Sequence, residues 1–138
     1  MKKLQISFDD DQNEFQLFGI NTHLEDYQLA AFVNEEIDIK LSLLYEHQIL
    51  NEFTLFIDQI NEKKIILLQN SNSRKQIAFE KLKSFDYLMI FSDNNNEKIV
   101  DSFQGKEIFY TNQIETSFLK EKDIQTINQL FLLINSKK

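Results

Sequence analysis

The chain has 138 residues, a formal net charge of −7, no cysteine and no proline. Disulfides, thiolate zinc sites and a cysteine nucleophile are excluded, and the acidic balance argues against a general nucleic-acid binder, whose affinity comes from neutralising phosphates. The length suits one domain over residues 1–138, with a core that needs no covalent staples.

Lysine outnumbers arginine fourteen to one, Arg74 being the single arginine, and Asn, Ile and Phe are abundant. This is the residue usage of an AT-rich coding sequence, so a lysine where arginine might serve need not be a functional choice. The opening MKKLQISFDDD has no apolar run after its lysines and no small-residue cleavage site, so no secretory leader is expected. No stretch approaches the ~18 apolar residues of a membrane span. A cytoplasmic protein is the expectation.

In chain order, Leu4, Ile6 and Phe8 alternate with Gln5 and Ser7 as a first strand, and Asp9 to Asn13 is a polar turn. Phe15 and Leu17 alternate with Glu14 and Gln16, which predicts a second strand in a hairpin with the first. Gly19, one of two glycines, marks a need for backbone freedom or close approach. Thr22-His23-Leu24-Glu25 fits a capping box. Leu24, Tyr27, Ala31 and Asn34, widened by Ala30, Val33 and Ile37, then predict one buried helix face, with Glu25, Asp26, Gln28, Glu35 and Glu36 left for water.

Alternation from Ile37 to Leu43 predicts a strand running toward Tyr45. Phe53, Leu55 and Ile57 share one face and Thr54, Phe56 and Asp58 the other. With the turn at Asn61-Glu62-Lys63 and the apolar run Ile65 to Leu68, they predict a second hairpin. Asn70 to Ser73 is a loop by composition. Ala78 to Ser84 suits two turns of helix with Phe79, Leu82 and Phe85 inward, and Phe85 to Phe91 reads as a central strand buried on both faces. Asp93 to Asn96 is a turn, Ile99 to Phe103 a short helix or irregular, and Glu107 to Thr111 a last strand. Ile124, Ile127, Leu130, Phe131 and Ile134 mark a C-terminal amphipathic helix, with Lys137 and Lys138 where its dipole favours cations. The fold class predicted is α+β: a mostly antiparallel sheet of about five to seven strands with two main helices packed on one face.

The pattern F-x-L-x-G-I-x-T-x-x-x-D-Y-x-L-A, Phe15 through Ala30, resembles the N-terminal signature of a family of small bacterial proteins, the IPExxxVDY family. Phe79 to Tyr87, FEKLKSFDY, lies where that family's naming motif should fall. Phe79 stands for the motif's Ile, Glu80 for its Pro, Lys81 for its Glu and Phe85 for its Val, while Asp86-Tyr87 match with the spacing intact. The run Leu67 to Asn70 and the helical C-terminus are also similar, so the resemblance covers most of the chain. It implies little about function, because no activity is assigned to the family, and any role resting on the motif's proline is not open to this chain.

Candidate chemistry is sparse. Asp9-x-Asp11-x-Asn13 has the opening spacing of a calcium loop, but Glu14 replaces the turn glycine and Ile20 the bidentate acid, so a solvated turn is preferred. His23 and His47 are the two near-neutral titrators. Without a nucleophile elbow or cysteine partner, surface or capping roles are preferred for both. In Asp26-Tyr27 and Asp86-Tyr87 each tyrosine is expected to pack with its hydroxyl on a polar partner, and each aspartate to cap or face water. Arg74, Lys75, Lys81 and Lys83 form a small basic cluster, read first as a solvated face. Gly19 and Gly105 are isolated, which excludes a phosphate-binding glycine loop.

No cofactor and no metal ligand set are expected. The preferred function is a non-enzymatic protein-interaction or accessory domain, with a protein partner or a second copy of itself and no membrane. Its anchor would be exposed aromatics near Tyr45, Phe109 and Tyr110. The alternatives are an RNA-associated accessory protein using Arg74 to Lys83 and, last, a small enzyme with carboxylates such as Asp86 or Glu80. The binding residues carried forward are Tyr45, His47, Arg74, Lys75, Lys81, Lys83, Asp86 and Tyr87.

Overall fold

The computed structural model describes residues 15–44, 52–58, 64–71, 76–92, 103, 110–115 and 119–136. Six strands form one sheet: β1 (Phe15–Asn21), β2 (Ser42–Leu43), β3 (Leu55–Asp58), β4 (Ile65–Gln69), β5 (Tyr87–Ser92) and β6 (Tyr110–Ile114). Their order is β2-β3-β4-β5-β1-β6, and every neighbouring pair is antiparallel. Two helices, α1 (Asp26–Ile37) and α2 (Glu121–Ser136), and a 3-10 turn at Glu80–Leu82 complete the described elements. The class is α+β, as predicted, with the strand count inside the expected range.

The helices do not share a face. Side chains alternate across the sheet, and the core divides accordingly. On the first face Phe18, Ile20, Phe56, Ile65, Leu67, Tyr87, Met89 and Phe91 meet Leu29, Ala30, Val33 and Ile37 of α1. On the second, Phe15, Leu17, Leu55, Ile57, Ile66, Leu68, Leu88 and Ile90 meet Leu119 and α2 residues Ile127 and Leu130, together with Phe79 and Leu82. The Phe15 and Phe131 rings lie 6.5 Å apart across that interface. The reason is in the central strands. Ile65 to Leu68 and Tyr87 to Phe91 are buried at every position, so each face needs its own cover.

Chain direction explains the role of α1. Alternating strands place β1 and β2 pointing the same way with β3, β4 and β5 between them, so α1 carries the chain across the first face. A helix of 12 residues is marginal alone. Burial of Leu29, Val33 and Ile37 against the sheet, about 1.5–3 kcal/mol for each such side chain, supplies what propensity does not. Phe103 also packs on this face, edge-on to Phe18 and Phe91 at 5.2 and 5.6 Å.

The predicted hairpin from Phe53 to Leu68 and the central position of β5 are observed. Several local expectations are corrected. α1 starts at Asp26, with extended Glu25 as its cap, so the reciprocal box is Glu25 with Gln28 and not Thr22 with Glu25; the Gln28 Oε1 accepts from the Glu25 N–H at 2.9 Å. Thr22 instead makes a local turn, its hydroxyl oxygen accepting from the Leu24 N–H at 3.2 Å. The later start rotates the buried stripe onto Leu29, Ala30, Val33 and Ile37, leaving Tyr27 and Ala31 exposed.

The strand predicted from Ile37 to Leu43 shrinks to Ser42–Leu43. Asp38 ends α1 in the left-handed region at φ 56°, and the Asn34 side chain then takes both backbone groups of Leu41. Its Oδ1 accepts from the Leu41 N–H at 2.7 Å and its Nδ2 donates to the Leu41 carbonyl at 3.0 Å. β6 runs past Thr111 to Ile114, in register with Leu17 to Asn21 of β1. The predicted Leu4–Phe8 strand, the Asp9–Asn13 turn and Lys137-Lys138 lie outside the described residues. β1 is paired on both sides, to β5 and β6.

Candidate functional site

The two stretches singled out in the sequence, 15–30 and 79–87, meet at one end of the sheet, where β1 leaves and β5 enters. Gly19 sits opposite Leu88 in the β1–β5 ladder and opposite Asn112 in the β1–β6 ladder. A Cβ there would land on Cγ, Cδ1 and Cδ2 of the Phe85 ring. The glycine is therefore a close-approach residue, and its backbone is not in the left-handed region. The Asp86 N–H donates both to the Ile20 carbonyl at 3.0 Å and to the Asn21 Oδ1 at 3.1 Å. In return the Thr22 N–H donates to the Asp86 Oδ2 at 3.3 Å. Tyr87 is buried and its hydroxyl donates to the Leu24 carbonyl at 3.0 Å, closing the turn that leads into α1.

Charge collects around that hydroxyl. Burial, then the carboxylates of Asp26, Glu25 and Asp86, push the Tyr87 phenol up to about 12. It stays protonated through the physiological range and donates to the Leu24 carbonyl. His23, Glu25, Tyr27 and Asp86 form the exposed rim of the corner. Tyr27 is 64% exposed, against the expectation that it packs, whereas Tyr87 packs with its hydroxyl satisfied as expected.

Beneath the corner lies a residue that the sequence reading passed over as loop. Asn70 is fully buried, and it makes five hydrogen bonds to residues 78–86. Its N–H donates to the Asp86 carbonyl at 2.9 Å and its carbonyl accepts from the Ala78 N–H at 2.8 Å. Its Oδ1 accepts from the Phe79 N–H at 3.0 Å, and its Nδ2 donates to the Leu82 and Phe85 carbonyls at 2.9 and 3.0 Å. This corrects the predicted two turns of helix at Ala78–Ser84. The segment forms only a single 3-10 turn, and Asn70 supplies partners for the N–H groups before that turn and the carbonyls at and after its end, which so short an element cannot pair internally. Phe79 and Leu82 point inward and Phe85 is half-buried, as the sequence suggested. No local signal sets Asn70 apart, since Gln69 precedes it and Asn72 follows.

Of the candidate binding residues, Tyr45, His47, Arg74 and Lys75 lie outside the described residues, as does Phe109. Lys81 and Lys83 are exposed on the 3-10 segment, as is Glu80. Asp86 and Tyr87 are brought together with Thr22, Leu24, Glu25 and Asp26. Among the described residues no group of three or more His, Asp or Glu is placed to hold a metal ion, and no helix is long and apolar enough to cross a membrane. Compared with known proteins, the chain matches no family model and no curated relative. What the geometry itself defines is an antiparallel α+β domain with a helix on each face and a hydrogen-bonded corner at one end.

Proposed function

We propose that this chain is a non-enzymatic protein-interaction or accessory domain of the cytoplasm, and that the corner at the start of α1 is its docking surface. The observation that carries the reading is Tyr27. A tyrosine left 64% exposed sits on a turn fastened to the sheet by the Thr22, Asp86 and Tyr87 hydrogen bonds, and rigid exposed aromatics are the residues that anchor interfaces. The chemistry at the corner supports binding over catalysis, since the Tyr87 hydroxyl is held protonated and the Asp86 carboxylate is engaged by the Thr22 N–H. We also propose kinship with the IPExxxVDY proteins; the meeting of the two stretches that carry that resemblance supports a shared corner.

The test is affinity capture from the native cytoplasm with wild type and Tyr27→Ala, with and without ribonuclease. A protein retained by wild type after ribonuclease, and lost with Tyr27→Ala while the circular dichroism spectrum is unchanged, is the expected result. A partner retained equally by both sinks the assignment of the surface. The exposure of both Lys81 and Lys83 on the 3-10 segment favours one second reading, contact with RNA through the basic stretch from Arg74 to Lys83. It requires association at low salt that Lys81→Gln with Lys83→Gln weakens.

A further inference from the structure

Residues 76–86 lie as a strap over the second face of the sheet, and they are held in an unusual way. The strap's own regular structure is one 3-10 turn, with the Leu82 N–H on the Phe79 carbonyl and the Lys83 N–H on the Glu80 carbonyl. Its docking comes from elsewhere. Asn70 bonds three strap carbonyls and two strap N–H groups, through both its backbone and its side chain, while the Phe85 N–H donates to the Leu82 carbonyl and the Asp86 N–H to the Ile20 carbonyl of β1. Apolar docking comes from Phe79 and Leu82, both buried, with half-buried Ala78 beside them and the Phe85 ring seated on Gly19. Elsewhere the sheet is secured by continuous ladders, six residue pairs between β1 and β5 and five between β4 and β5.

We infer that Asn70 is a latch, and that residues 76–86 open and close over the second face as one cooperative unit without unfolding the sheet. A primary amide suits the task. It offers two donors and an acceptor from one side chain, so its bonds to the Phe79, Leu82 and Phe85 backbone groups form together or are lost together. Opening costs those bonds, the Ser71–Ile77 bridge, the Asp86 bonds to β1 and the burial of two side chains, but it breaks none of the residue pairs that join the six strands, and it returns the backbone freedom of the strap. Closed, the strap buries Phe79 and Leu82 against the second face. Open, it uncovers the patch formed by Phe79, Leu82 and their neighbours. The device is independent of the proposed docking role of Tyr27.

Native-state hydrogen exchange on the wild-type protein, along a gradient of sub-denaturing urea, reads the opening directly. The Phe79, Leu82, Lys83 and Phe85 amides should share one opening step, exchanging at least ~10-fold faster than the Met89 and Ile90 amides of β5 and with a shallower urea dependence. Asn70→Ala should accelerate the strap amides by a further ~10-fold or more while the β5 amides keep a lower rate. Asn70→Asp, which turns a carboxylate toward the Leu82 and Phe85 carbonyls, should do so more strongly. Identical rates and urea slopes for strap and β5 in the wild type would overturn the inference. So would an Asn70→Ala variant that speeds every amide equally, or none. Should both variants fail to fold, the wild-type gradient still decides.

Discussion

Replacing Gly19 by alanine puts a methyl group into the Phe85 ring. The added Cβ would overlap Cγ and both Cδ atoms of that ring, and the backbone of Gly19 cannot retreat because it is paired with Leu88 on one side and Asn112 on the other. The ring must move. Overpacking of this kind costs about 1–3 kcal/mol, and here it falls on the seat of the strap. Phe85 is half-buried, so Phe85→Ala should cost about half of the ~3–5 kcal/mol typical of a buried phenylalanine. The double variant is the informative one. With the ring gone the methyl has room, so Gly19→Ala with Phe85→Ala should be no less stable than Phe85→Ala alone, a coupling of about 1–3 kcal/mol. Urea unfolding of the four proteins, followed by far-ultraviolet circular dichroism with m held common, gives the cycle. Single-variant costs that add within about 0.5 kcal/mol would refute the close-approach reading of Gly19.

Two further expectations follow from the hydrogen bonds. Asn34→Ala removes both partners of Leu41 and should cost about 1–3 kcal/mol, and Asn34→Asp, which keeps the acceptor for the Leu41 N–H but turns a carboxylate toward the Leu41 carbonyl, should also destabilise at neutral pH; no loss from either variant in urea titrations would contradict that geometry. Tyr87 ties pH to stability. Its folded phenol is raised by burial and by Asp26, Glu25 and Asp86 to about 12, above the ~10 of an unfolded tyrosine. Above pH ~10 the unfolded chain therefore binds fewer protons than the folded one, and stability is lost as pH rises from about 10 to about 12. Tyr87→Phe should lower the neutral-pH stability by ~1 kcal/mol through the orphaned Leu24 carbonyl, and its Tm should fall less steeply than that of wild type across this alkaline window. Parallel Tm curves would assign the alkaline loss to other groups.

The sequence determined what depends on period and composition. Alternation placed β1 and the β3–β4 hairpin, and an unbroken apolar run identified β5 as central, because a side chain at every second residue meets the same face. The C-terminal helix was written in its spacing at Ile127 and Leu130. The tertiary structure decided everything that turns on a partner distant in the chain. Helices on opposite faces, Tyr27 outside and Tyr87 inside, and the single 3-10 turn where a helix was expected all follow from contacts with no local signature. Asn70 looks like an ordinary polar residue just after a strand, yet it is an amide whose side-chain partners are fixed by where the backbone of residues 79–85 passes. Gly19 shows the division most plainly. Its need for space was legible in the sequence, but the ring that fills that space is Phe85, and only folding brings the two together.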